Sequence, residues 1–462
     1  MKLTGTFAKF FSSVSTLGVV VGALTLNGLA MGQSGTVAVW GFNFYGECNI
    51  PVAAQSGVTA ISSGSIHTIV LKDGGVIAWG LNDNGQCNIS TAGQSGVNAI
   101  AGCYYNTIAL KSGAVLVWGS NTWGQCDIPT YASSGVSAIA GGTNHIIALK
   151  SSAVFAWGYN GQGQCTIPTD AQYGVTAIAG GTSNTIALKN GAVLAWGDNN
   201  YRQCIIPSDA QSGVTAIAGV GNHITALKGG AVFAWGDNQY GQCLGTNSSG
   251  NPLISSTAGG GPVQINGVTL SDVTAIANGY YHTVALKNGG VLAWGNNGQG
   301  QCTIPAAALS GVTDIAGGVI NTIALKKSPT TITGVLPISG PSSGNTNITI
   351  TGTNFEAFAT VTIGGAPATN VVVVSDTQIT ATTPAGFPGP AVVTVNLGSS
   401  TAFYYRPTCG ADLDNNNVVD SADLGYLLLE FGNCSSESAA ATEPVEPVRI
   451  PMIEQTPLAA KK

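Results

Sequence analysis

Between residues 33 and 327 the chain is a series of short apolar runs, each about six to eight residues long. GVTAIAGG (174–181), NTIALK (184–189) and AVLAWG (192–197) are one such series. Small Ala alternates with Ile, Leu or Trp, so both faces of each run are apolar. That pattern fits strands packed on two sides, whereas a helical solenoid would need longer runs with a 3.6-residue period. Asn190-Gly191 separates the second run from the third, and Asp73-Gly74, Ser112-Gly113, Gly229-Gly230 and Asn288-Gly289 occupy the same place in other series. Such pairs accept the positive φ of a tight hairpin turn. A fourth strand is expected before each Pro, as in CTIP (165–168).

The series repeats. Trp40, Trp79, Trp118, Trp157, Trp196 and Trp235 are spaced by 39 residues, and Trp294 follows after 59, an insertion of 20. Each Trp is followed by Gly and, eight positions on, by Cys: Cys48, Cys87, Cys126, Cys165, Cys204, Cys243 and Cys302. Lys72, Lys111, Lys150, Lys189, Lys228, Lys287 and Lys326 end the second run. A period in this range signals a solenoid or a propeller. The array opens with strands three and four (36–51) and closes with strands one and two (311–327). The two halves complete one blade, which predicts an all-β chain with a seven-bladed β-propeller at 33–327, closed by its N- and C-terminal strands. Closure removes the sheet edges that an open array would expose.

The run GVTAIAGG…ALKNGAVLAWGDN…GQC…IP resembles the regulator-of-chromosome-condensation repeat. Its compact bacterial form is similar to the propeller-type β-lactamase inhibitor protein. The segment from Leu244-Gly245-Thr246 to Pro262-Val263 lengthens one unit toward the eukaryotic form. In the inhibitor family the residue before the first position of strand two is a partner contact. The resemblance places that role at Ile66, Tyr105, Asn144, Ser183, Asn222, Tyr281 and Ile320, three of which are small or polar.

The repeated polar positions read as structural. The first position of strand two is His67, Asn106, His145, Asn184, His223, His282 and Asn321. Asn is a poor ligand for transition metals, whereas His and Asn both bridge hydrogen-bonding groups. The repeated cysteines, expected on the outermost strand, lie too far apart for disulfides between equivalent positions. They are expected to be buried thiols acting as small hydrophobes. Cys103 stands outside the pattern. The repeated Lys marks a solvated hairpin end. Asp83, Asp127, Asp198 and Asp237 are scattered in connections, and neither a nucleophile elbow nor a metalloprotease motif occurs, so no enzyme is expected.

Strand order separates two faces. Loops between strands one and two and between strands three and four share one end. That end carries Tyr104, Tyr105, Tyr280 and Tyr281 in the first set of loops, and Tyr45, Trp123, Tyr201 and Tyr240 at one equivalent position in the second, with Tyr159 nearby. Tyr and Trp are favoured anchors of binding surfaces, and they also stack on sugar rings. These eight aromatics are the expected partner-binding residues.

Composition shifts at residue 328. Residues 328–406 hold Thr, Val, Gly and Pro with alternating apolar positions, which reads as an immunoglobulin-like β-sandwich and resembles the IPT/TIG domain. Residues 407–434 carry Asp412, Asp414, Asn416, Val418, Asp420 and Asp423 at the 1, 3, 5, 7, 9, 12 spacing of a Ca2+ loop, with Val418 offering its carbonyl. A short amphipathic helix follows, giving an EF-hand-like loop-helix module that resembles one half of a type I dockerin. Cys409 and Cys434 bracket it as a candidate disulfide. Residues 435–462 read as a disordered tail. At the other end, residues 1–32 have the Lys2 and Lys9 start, the Leu17–Leu29 apolar stretch and the Gly28-Leu29-Ala30 cleavage context of a secretory signal.

Charged residues make up 8% of the chain and the net charge is −6, which argues against a general nucleic-acid binder. No apolar run reaches the length of a membrane helix, so no transmembrane segment is expected in the mature chain. Together these features describe a secreted, extracellular or surface-attached bacterial binding protein. Its expected partners are an extracellular protein or polysaccharide on the aromatic end, and a cohesin-like or surface anchor on the calcium module. The alternative is a dockerin-tethered accessory or catalytic subunit of polysaccharide degradation. A nucleotide-exchange role, implied by the eukaryotic relatives, fits poorly with export.

Overall fold

The computed structural model describes residues 35–406, apart from 248, 256, 356–358 and 397–398. The chain divides between Pro329 and Thr330 into two compact units. The signal segment, the calcium-loop residues Asp412, Asp414, Asn416, Val418, Asp420 and Asp423, the pair Cys409 and Cys434, and the C-terminal tail lie outside the described residues.

The first unit is built from three-stranded antiparallel sheets. Val175–Gly180, Asn184–Lys189 and Ala192–Gly197 form one of them, in that order. The middle strand is buried along its length up to the final Lys, and two apolar faces explain why: neighbouring sheets cover both sides. Between the middle and outer strands, Asn190 and Gly191 take φ of 52° and 76°, the tight primed turn expected of them, as do the equivalent pairs. A bulge at Thr176 re-aims the first strand, and its hydroxyl donates to the Leu188 carbonyl at 3.1 Å.

The first strands of successive sheets touch one another in sequence, from Val58–Ser63 round to Val312–Gly317, which in turn touches Val58–Ser63. Closure comes from the strand Gly35–Gly41, which pairs antiparallel with Asn321–Lys327 over its whole length. The inner strands surround a cavity of about 120 Å³ lined mainly by Ala, Gly and Ile. One carboxylate lines it: Asp314 stands where the other repeats have Ala60, Ala99, Ala138, Ala177, Ala216 and Ala275.

The expected fourth strand is absent from most repeats. Residues between the outer strand and the Pro form two turns followed by a short 3-10 turn, as at Thr169–Ala171. The exception is the repeat with the insertion, where Thr257–Ala258 pairs with the end of Ala231–Asp237. The cysteines therefore sit in turns and not on a strand. The insertion adds the hairpin Gln264–Ile265 and Val268–Thr269, and packs Val263 and Leu270 with Cys243 into the local core.

The second unit is a β-sandwich. One sheet orders Thr331–Leu336, Asn347–Thr353, Gln378–Thr382 and Thr369–Ser375. The other orders Ser339–Pro341, Ser399–Arg406, Gly389–Val395, Val361–Ile363 and Ala366–Pro367. Alternate residues of both sheets, including Ile348, Ile350, Ile379, Val393 and Phe403, fill its core.

Candidate functional site

The segment after each outer strand is a turn held by its own side chains. Three positions of it, Asn, Gln or Glu, and Cys, act in every repeat. The Asn Oδ1 (Asn43, Asn82, Asn121, Asn160, Asn199, Asn238, Asn297) accepts the Cys backbone N–H at 2.8–2.9 Å. The carboxamide or carboxylate of Glu47, Gln86, Gln125, Gln164, Gln203, Gln242 or Gln301 accepts the N–H two residues earlier at 2.8–3.0 Å. The Cys Sγ donates to the carbonyl six residues back, at 3.1 Å in Cys48 and 3.4 Å in Cys87. All eight described cysteines are free thiols. Burial pushes Cys48, Cys87 and Cys165 up to about 11 and Cys204 and Cys302 up to about 12, so these thiols remain protonated donors at neutral pH. They close turns and do not merely fill space.

This scaffold positions the aromatics expected to bind a partner. The backbone N–H held by the Gln or Glu belongs to Tyr45, Trp123, Tyr201 and Tyr240 in the repeats that carry an aromatic there. Trp123 is 50% exposed, Tyr45 44% and Tyr240 40%. Tyr104, Tyr105, Tyr280 and Tyr281, on the loops between inner and middle strands, are half-buried, as is Tyr201.

The structure brings these residues into three groups at one end. Tyr240, Tyr280 and Tyr281 are in ring contact, with Tyr201 within electrostatic reach of the Tyr281 hydroxyl. Tyr104 and Tyr105 contact each other, and Tyr45 lies within electrostatic reach of Tyr105. Trp123 packs edge-on to Tyr159 at 4.8 Å. Sequence reading passed over Phe42 and Phe44, which cluster with Tyr45; Phe44 is 79% exposed. Its signal was the local run Phe-Asn-Phe-Tyr, hidden because Phe44 is not at the repeating aromatic position.

The two ends differ in charge. The segments after the outer strands carry Glu47, Asp83, Asp127 and Asp198, with Asp237 at the end of its outer strand, against one base, Arg202. Burial raises Glu47 and Asp237 above the usual carboxylate range. The hairpin end carries the repeated Lys residues. They are not simply solvated: Nζ of Lys72, Lys111, Lys150, Lys189 and Lys228 donates to the middle carbonyl of a 3-10 turn at 2.8–3.0 Å.

The His positions, Asn106 and Asn321 are buried hydrogen-bonding groups, whereas both amide atoms of Asn184 are buried without a partner among the described residues. Nε2 of His67, His145, His223 and His282 meets the hydroxyl of Thr107, Thr185, Thr283 and Thr322 in the next repeat at 2.9–3.1 Å. The Thr185 hydroxyl donates in turn to the Gln164 carbonyl at 2.8 Å. Where the partner position is Ile146 or Ile224, the preceding repeat has Asn106 or Asn184. Cys103 belongs to this set. It occupies a place that is Gly in several repeats, where a Cβ at Gly142 would strike the His145 ring. Asn106 turns away to the Ser120 carbonyl, which leaves room for the Cys103 thiol to reach the Gly142 carbonyl at 2.9 Å.

Comparison with known proteins agrees with this architecture. The IPT/TIG domain model matches residues 329–408, and two models of the regulator of chromosome condensation (RCC1) repeat match 229–286, and 58–86 with 273–301. No curated protein matches. Among solved structures, Prp20p from Saccharomyces cerevisiae, described with its binding to Gsp1p and histones, is 18% identical. It aligns over 64% of this chain and 92% of its own with a TM-score of 0.52. Yeast RCC1 (Prp20) bound to Kap60 is also 18% identical, over 71% of this chain and 97% of its own, with a TM-score of 0.52. Human WBSCR16 is 18% identical over 64% of this chain and 99% of its own, with a TM-score of 0.48. The chain carries RCC1 repeats folded as a β-propeller, followed by an IPT/TIG domain.

Proposed function

We propose that the chain is a secreted bacterial binding protein whose seven-bladed propeller presents its aromatic end to an extracellular protein or glycan. The observation that carries this reading is the gathering of the exposed and half-exposed aromatics into groups at one end. Support for a protein partner comes from the solved Prp20p structures, which are described with bound or interacting proteins. In this reading residues 1–32 direct export, the IPT/TIG domain of 328–406 is a spacer, and residues 407–434 attach the molecule through calcium, with 435–462 as a tail. The test is affinity capture from native extracellular proteins and polysaccharides by the full mature chain. The expected result is a ligand that Tyr105→Ala, Trp123→Ala and Tyr281→Ala together release. Equal capture by both chains refutes the aromatic end as the binding surface.

The calcium module is tested separately. Calorimetric titration of the full chain should show one Ca2+ site that Asp412→Ala with Asp414→Ala removes. Absence of calcium heat in the parent refutes it. The dockerin-like spacing also keeps a second reading in play, in which the chain is a tethered subunit of polysaccharide breakdown. Glycan cleavage by the purified chain would favour that reading.

A further inference from the structure

Tyr240, Tyr280 and Tyr281 from neighbouring loops meet in ring contact, and Tyr201 and the buried carboxylate of Asp237 lie within electrostatic reach of the Tyr281 hydroxyl. Tyr240 and Tyr281 rings lie 5.2 Å apart at 61°, and Tyr280 and Tyr281 lie 4.6 Å apart at 63°. Rings meeting at such angles are walls of a corner; they do not form the flat platform on which a sugar ring stacks. The Tyr281 hydroxyl feels Asp237 and Tyr201 as well as Tyr240 and Tyr280. Asp237 is 1% exposed, and its Oδ1 accepts the Gln239 N–H at 3.1 Å. Among the described residues no Lys or Arg forms an ion pair with it. A carboxylate removed from water without a cation is costly. Aromatic faces are negative, and a set of them around a negative charge favours a desolvated cation.

We infer that this corner binds an alkylated ammonium group, with Tyr201, Tyr240, Tyr280 and Tyr281 as walls and Asp237 as the counter-charge. The inference rests on the aromatic end being the binding surface, and gives that surface a ligand chemistry. An ammonium group suits the site better than a guanidinium, because a compact cation can touch several ring faces at once. A free quaternary ammonium compound and a methylated lysine of a protein share this chemistry.

The test uses the full chain and saturation-transfer NMR with choline and its neutral isostere 3,3-dimethylbutan-1-ol. Choline should bind about tenfold more tightly than the isostere. Tyr281→Ala should abolish the signal. Tyr240→Ala, at an exposed side chain, should do the same with an unchanged melting curve. Asp237→Asn should weaken choline and leave the isostere unaffected. A trimethyllysine peptide that binds more tightly than choline identifies a protein as the source, and equal binding identifies a small molecule. Equal binding of choline and the isostere overturns the inference, as does choline binding that survives both tyrosine substitutions. If a captured partner is lost on aromatic substitution but is not displaced by choline, the cation site fails and the binding surface stands. If substitution does not release the partner either, the surface itself fails.

Discussion

His67, His145, His223 and His282 carry an acid sensitivity that their structural role imposes. Burial holds His67, His145 and His282 down to about 4 and His223 to about 3, so each stays neutral in the folded chain. The unfolded chain takes up protons at these residues below about pH 6.5. Stability is therefore lost as pH falls from about 6.5 to about 4, at up to about 1.4 kcal/mol per pH unit for each His. Asp314 acts in the opposite sense. Its carboxyl faces the axial cavity and is pushed up to about 7 by burial, against an ordinary value of 3.8. Its favourable contribution is complete in acid and is lost as pH rises from about 4 through 7. Urea unfolding of His145→Asn between pH 4 and 8 should show a shallower acid limb, because Asn serves at the same place in other repeats. Asp314→Asn should be near neutral at pH 4 and stabilising at pH 8, by about 2 kcal/mol once water in the cavity is allowed for. An unchanged acid limb, or destabilisation by Asp314→Asn at pH 8, would contradict these assignments.

At the scale of elements, the strands and their hairpins were legible because local rules agreed. Two-sided apolar runs separated by Asn-Gly, Asp-Gly or Gly-Gly pairs leave few alternatives to antiparallel ribbons. The fourth strand misled for a definite reason. CTIP has the composition of a strand, but the Asn, Gln and Cys side chains around it satisfy the backbone groups that a ladder would use. Those three positions repeat at fixed distances from Trp, so the signal was present. Reading it required knowing that side chains, and not a neighbouring strand, take the hydrogen bonds. The repeated Lys is similar: its stem runs from the end of the middle strand to a 3-10 turn that sequence alone does not place beside it.

At the scale of the molecule, the strand Gly35–Gly41 is the closing element. It covers Ile323 and Leu325 of its partner, both buried, and contributes Val37 and Trp40 to the core. Deleting residues 35–41 should cost at least about 5 kcal/mol from the apolar area exposed. It should also leave Asn321–Lys327 as an open sheet edge prone to pairing with other chains. Calorimetry with size-exclusion chromatography should show a broadened, earlier transition and self-association. A parent-like transition in a monomer would show that closure is dispensable.

The sequence by itself determined the repeat, its strands and turns, the order of elements that permits closure, and the end on which the aromatics fall. These follow from local periodicity and from antiparallel connection, which need no knowledge of neighbours. Tertiary structure decided what each repeated polar residue touches. It paired His with the Thr of the next repeat, set Asp314 as the one carboxylate lining the axial cavity, and brought Tyr201, Asp237 and Tyr240 within reach of Tyr281. Those contacts join residues about 40 or more positions apart, and their energies depend on exclusion of water, a property of the assembled ring and not of any single run.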